Sequence, residues 1–209
     1  DFNEVVDATT IAVTATSSYG TATTTFAKDV SAAITLTDAT SLATVAFDGS
    51  DAQTLTGSFI AGNDADGTVN ILAGANLVTI SGVAGIAGTG LLAVNVGDGT
   101  TAGTAKFSSA IDVATITING DGGASTANFD GNVTGSGTMA IVTGATAGDT
   151  ATATIAANVI SNITLDDGAG TDVATVTFDG AVAQTMTGDL ISVTTGDGAL
   201  VVTNTHADG

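Results

Sequence analysis

The chain of 209 residues has no cysteine, no proline, no tryptophan and no arginine. Without cysteine, neither a disulfide nor a thiolate metal centre holds the fold. Its only basic side chains besides His206 are Lys28 and Lys106, set against 21 acidic residues. Nothing can therefore neutralise a run of phosphates, which argues against nucleic-acid binding and against adhesion to an anionic membrane surface. The same shortage removes the i,i+4 ion pairs that support surface helices. His206 is the single histidine, so a His-based metal cluster within one chain is excluded. No apolar run approaches the roughly 20 residues of a membrane-spanning helix, so no membrane insertion is expected. Tyr19 is the one tyrosine. With no tryptophan beside it, an aromatic platform for sugar rings is missing, which argues against a carboxylate-pair glycosidase. The chain reads as non-enzymatic.

What is present is a narrow alphabet. There are 28 glycines, 44% of residues are apolar, and the formal charge is −19. The apolar content suffices for a core, although a charge this negative otherwise raises the question of disorder. That core must be thin, being built from Val, Ile, Leu, Ala and 7 Phe. The acidity favours solubility at high ionic strength and attracts cations. The opening residues, DFNEVVDATT, carry no signal-peptide pattern, so a processed or partial chain is the expectation.

Thr, Val, Ile and Phe alternate with period two in TIAVTAT (residues 10–16), AITLTD (33–38), ATITING (114–120) and ATVTFDG (174–180), as β-strands do. The phrase LATVAFDGSDAQTLTG (42–57) returns as VATVTFDGAVAQTMTG (173–188), with 11 of 16 positions identical. Phenylalanines recur at 21 residues (Phe26, Phe47) and at 22 (Phe107, Phe129). Self-similarity at this period predicts an all-β fold. Its architecture is a parallel β-solenoid, or β-helix, of stacked coils of roughly 20–25 residues. Each coil pairs in register with the next, about 4.8 Å along the axis. Inward Val, Ile, Leu and Phe stack on their own kind, outward Thr forms ladders, and Gly, Asn and Asp make corners. The alternative architecture is a set of small tandem β-sandwich domains. The chain divides into an N-terminal strand segment at 1–19, suited to pairing between subunits, and a repetitive solenoid body at 20–209.

The Asp-rich corners give the one metal-ligating pattern. Asp48, Asp130 and Asp179 stand in FDG triplets, and Asp166, Asp167 and Asp172 stand in DDGAGTD. Carboxylates beside glycine can chelate a hard cation, which makes these six the candidate calcium ligands. The plainer reading is that Asp-Gly makes the turn. Calcium is the one candidate cofactor. Thr-x-Thr pairs such as Thr35/Thr37, Thr54/Thr56, Thr115/Thr117, Thr175/Thr177 and Thr185/Thr187 suggest an ice-binding face. The gap between Thr56 and Thr115 favours ordinary surface ladders instead. Lys28 and Lys106 read as solvated. GVAGIAGTG (82–90) reads as a deviating, exposed segment.

The repeated ATVTFDGxxAQTxTG phrase, with NITLDDG, resembles the repetitive regions of bacterial cell-surface proteins, both autotransporter passengers and surface-layer-like proteins. The resemblance runs from about Gly20 onward and rests on repeat style and composition. It implies a secreted or surface-displayed rod and carries no catalytic residue. Residues 1–19 do not join the repeat clearly, and no outer-membrane anchor region is seen. The expected function is an extracellular structural protein that self-assembles into a filament or surface layer. Assembly would proceed through end-to-end β-strand pairing, since end coils expose unpaired edges. The partner is then a second copy of the chain. The alternative is an adhesin stalk or passenger that binds cells or glycans.

Overall fold

In the computed structural model, residues 1–16, 20–39, 41–135, 137–144, 148–168, 171–193 and 199–202 are described. All regular structure among them is β-strand, gathered into two hydrogen-bonded sheets of 10 and 11 strands. Every pairing between strands is parallel and joins a strand to its counterpart one turn later. Hairpin-built sandwiches are thereby ruled out, and the fold is a parallel β-solenoid.

Strand register resolves the stack into three faces. Face A runs through Ala22–Phe26, Ala43–Phe47, Asp66–Ile71, Leu91–Val96, residues 115–119, Thr138–Val142, Asn162–Asp166 and Leu190–Ser192. Face B runs through residues 30–31, Gln53–Thr56, Leu77–Ile80, Thr104–Phe107, Ser125–Phe129, Thr150–Ile155, Val173–Phe178 and Ala199–Val202. Face C is short, passing from Phe59–Ala61 through Ala84 and residues 111–112 to Val133–Thr134, Val159–Ile160 and Met186–Thr187. Two nine-residue strands, Val30–Asp38 and Ile111–Asn119, run round a corner and serve two faces each. Residues 6–15 pair in parallel with Val30–Asp38, so the segment set apart in the sequence supplies a rung of the same stack.

Period-two patterning explains the core. Along Thr150–Ile155 burial alternates strictly, with Ala151, Ala153 and Ile155 inside and the threonines half-exposed. Because the pairing is in register, each inward residue stacks on the inward residue of the next turn. Phe26 lies over Phe47 with ring centroids 5.7 Å apart. Phe107 lies over Phe129 at 5.2 Å and 6°. Both spacings are close to the distance between strands, so the rings stack at no cost to the backbone ladder. Beside the Phe107/Phe129 column runs a column of Ala105, Ala127 and Ala153, all fully buried. Small beside large keeps the interior filled across a narrow section. Phe59, from face C, meets Phe47 edge-on at 6.3 Å and 84°, tying two faces through the interior.

The repeated phrase builds a corner. Gln53 is fully buried: its Nε2 donates to the carbonyls of Phe26 (2.8 Å) and Lys28 (3.3 Å) in the turn before, and its Oε1 accepts from the Gly49 N–H (2.8 Å). Gln184 repeats this, donating to Ile155 (2.7 Å) and Ala157 (3.1 Å) and accepting from Gly180 (2.8 Å). The glycine of each FDG is required by close approach. A Cβ on Gly49 or Gly180 would collide with the Ala27 or Ala156 carbonyl oxygen beneath it. Left-handed backbone, the expected reason for glycine at corners, occurs elsewhere, as at Gly97 (φ 79°) and Gly122 (φ 100°).

The two copies of the phrase occupy different corners. Phe47 lies on face A and Leu55 on face B, whereas Phe178 lies on face B and Met186 on face C. The corner chemistry is therefore portable around the cross-section.

Truncating Gln53 to Ala strands the Gly49 N–H and the Lys28 carbonyl, while the Phe26 carbonyl keeps its bond from the Asp48 N–H (3.2 Å), and should cost about 1–3 kcal/mol of unfolding free energy. Phe107→Ala should cost about 3–5 kcal/mol. Denaturant unfolding of the two variants measures both.

Candidate functional site

Three kinds of site follow from this architecture: acidic corners, outward side-chain rows, and the two end turns. At the corners, the six sequence-predicted aspartates do not share one environment. Asp48, Asp130 and Asp179 follow the last inward Phe of a strand and are exposed. Asp130 holds Lys106 at 2.9 Å. Asp166 ends a face A strand half-buried, while Asp167 and Asp172 are buried at 6% exposure each. Asp172 Oδ1 accepts from the N–H groups of Gly148 (2.6 Å) and Asp149 (3.2 Å) in the turn before. Among the described residues no three His, Cys, Asp or Glu side chains converge as a metal cluster. Tyr19 and His206 lie outside the described residues.

Other corner aspartates, passed over in the sequence because they lack the FDG context, make defined contacts. Asp98 is exposed and caps its own turn, accepting from the Thr100 hydroxyl (2.8 Å) and from the Thr100 (2.9 Å) and Thr101 (2.8 Å) N–H groups. The Thr100 hydroxyl and then these N–H groups hold its carboxyl below the usual carboxylate range. Asp112 is pushed the other way, by burial and then by the charge of Asp64. Asp64 in turn accepts from the Gly90 N–H at 3.2 Å. These two acids flank GVAGIAGTG. There Ala84 is buried on face C, while Ile86 stands 49% exposed and pairs back to Thr89.

Neither lysine is simply solvated. Lys28 binds Asp51 at 2.6 Å and Lys106 binds Asp130, each across adjacent turns at the surface. Their mutual hydrogen bond, then their charges, raise the Lys28 pKa and lower that of Asp51.

The Thr-x-Thr pairs singled out in the sequence fall on three faces: Thr115/Thr117 on A, Thr54/Thr56 and Thr175/Thr177 on B, and Thr185/Thr187 at C. Register exposes rows that the linear sequence hides. Thr104, Thr126, Thr152 and Thr175 stand one above another on face B. On face A, Asn95 Nδ2 donates to Asn70 Oδ1 at 2.9 Å, beside a shallow polar groove that also includes Asp98, Thr117 and Asn119.

The first and last described face A turns differ from the others in one respect. Phe2 bridges to Phe26 and stacks on it at 5.3 Å, continuing the face A column, yet is 46% exposed. At the other end Leu190 is in register with the fully buried Ile163 and is 38% exposed. Both are inward positions with nothing over them among the described residues. Val5 (65%) and Val193 (58%) add apolar surface at the same ends.

No family model, no curated protein and no solved structure matches this chain. Fold and sequence pattern place it in the class of repeat-built parallel β-solenoids.

Asp112→Asn should stabilise the protein at neutral pH, because the raised pKa means that the folded state disfavours the charge. The gain should shrink as pH falls through that raised value and vanish below the ordinary carboxylate pKa. Asp98→Asn should do the reverse, destabilising above the ordinary carboxylate pKa and losing its effect as pH falls through the lowered value. Unfolding midpoints from pH 3 to pH 8, roughly the carboxylate range and above, check both signs.

Proposed function

We propose that the protein is a structural component that assembles end to end, the last turn of one copy stacking on the first turn of the next to make a filament or a surface layer. The observation that carries this reading is the apolar surface and one-sided strand pairing at the first and last described turns. Inward positions that are sealed in every middle turn stand exposed at Phe2 and Leu190. The strand edges beside them, at Val6–Ala15 and Leu190–Ser192, have only one paired side among the described residues. Contact between two different ends is heterologous and propagates when it does not close. Each added copy would extend every interior column and satisfy backbone groups that otherwise face water. The role needs no catalysis. The composition and repeat style, which resemble those of bacterial surface proteins, support an extracellular location at a bacterial surface.

A second reading, a stalk that binds glycans or cells, draws on the face A groove. Its amides and hydroxyls at Asn70, Asn95, Thr117 and Asn119 offer both donors and acceptors to a sugar.

Negative-stain microscopy with light scattering separates the two. End-to-end assembly predicts filaments or sheets that grow with protein concentration. It also predicts that Leu190→Asp and Phe2→Asp each leave single short rods, since either charge would be buried at the junction. Monodisperse rods of the unmodified chain at every concentration would contradict assembly and favour the stalk.

A further inference from the structure

The corner that joins face A to face B buries oxygen atoms that the protein leaves without partners. In two successive turns it places Thr143 (3% exposed), Asp149 (9%), Asp167 (6%) and Asp172 (6%) inside. Asp167 is not among the unpartnered ones, and buried polar side chains elsewhere are served: Gln53 by its corner, Asp66 by the N–H and amide of Asn63, Ser125 by its bond to the Asn119 carbonyl. Thr143 Oγ1, Asp149 Oδ2 and Asp172 Oδ2 are buried with no hydrogen-bond partner.

These three residues border one corner. Thr143 opens the corner and Asp149 closes it. Asp172, one turn on, reaches back so that its Oδ1 is held by the Gly148 and Asp149 N–H groups, which leaves Oδ2 beside Asp149. Thr143 stands one residue beyond the Val142–Asp166 pair, and Asp149 and Asp172 stand one residue before the Thr150–Val173 pair, so all three border the same bend in consecutive turns.

Carboxylates buried at one corner favour a nearby positive charge, and among the described residues no basic side chain supplies one. The chain has no arginine, and both lysines are engaged with Asp51 and Asp130 elsewhere. The donors are all hard oxygens, with no nitrogen or sulfur ligand among them, which suits calcium or magnesium over a transition metal. Calcium tolerates the irregular, mixed shell that two carboxylates, a hydroxyl, main-chain carbonyls and water would form. We propose that Asp149, Asp172 and Thr143 form a calcium site that clips two consecutive turns together at this corner. The site does not depend on end-to-end assembly. It differs from the exposed FDG aspartates in that its oxygens are buried and unpartnered.

Calorimetric titration of the whole chain with calcium, and thermal unfolding with calcium against sodium chloride of equal ionic strength, test this. One saturable calcium per chain is expected, with a rise in Tm beyond that of the sodium control. Asp149→Asn and Asp172→Asn should each weaken calcium by roughly tenfold or more. Thr143→Val removes only the hydroxyl and guards against misfolding of the Asn variants. It should weaken calcium without changing Tm in chelator. If titration shows no saturable calcium and calcium raises Tm no further than sodium chloride of equal ionic strength, the site is refuted. A calcium response unchanged in all three variants would refute it equally, by assigning the effect to general screening of surface charge.

Discussion

The in-register parallel ladder is the constraint on which everything else in this molecule depends. Each backbone strand finds its partners one turn away, so a residue's neighbours are set by its place in the turn. Identical or similar side chains must then tolerate being stacked about 4.8 Å apart. Phe on Phe and Ala on Ala do so inside, and Thr and Asn do so outside, where Asn70 and Asn95 join by their amides. Charge does not stack well. The two lysines each lie against an aspartate of another turn, and the aspartates concentrate at corners, where the chain leaves the ladder.

Corners are where this design meets its costs. A turn of strands leaves carbonyls and N–H groups at each bend without ladder partners. The protein meets them with side chains: Gln53 and Gln184 reach down to the turn below, Asp98 caps its own loop, and Asp172 reaches back to Gly148 and Asp149. Glycine appears where the bend passes so close over the previous turn that a Cβ would collide with a carbonyl. The same constraint makes the ends distinctive. A ladder leaves an inward residue covered only where another turn lies over it, and among the described residues Phe2 and Leu190 have none over them.

Much of the architecture was legible in the sequence. Period-two alternation marked the strands, and the 21- and 22-residue spacings between phenylalanines proved to be single register steps. The alternative of tandem sandwiches fails on the parallel pairing. Three things were not legible. The three-faced section was hidden because corner lengths vary, so linear spacing drifts against register. The two copies of the repeated phrase stand one face apart around the section, since a Gln–Gly corner serves any bend of the same shape. The aspartates looked alike in sequence, but burial separates Asp48, Asp130 and Asp179 from Asp167 and Asp172. Burial depends on which turn lies above a residue, and local sequence does not state that.

The claim beneath this account is the register itself. Thr54 and Thr177 stand on face B, linked through Thr79, Lys106, Asn128 and Thr154. Five strand spacings put them about 24 Å apart, although 123 residues separate them in sequence. The chain has no cysteine, so spin labels on Thr54→Cys and Thr177→Cys report that single distance. A narrow distribution near this value is the result that the account predicts. A distance far beyond it, or a broad one, would contradict the parallel in-register stack.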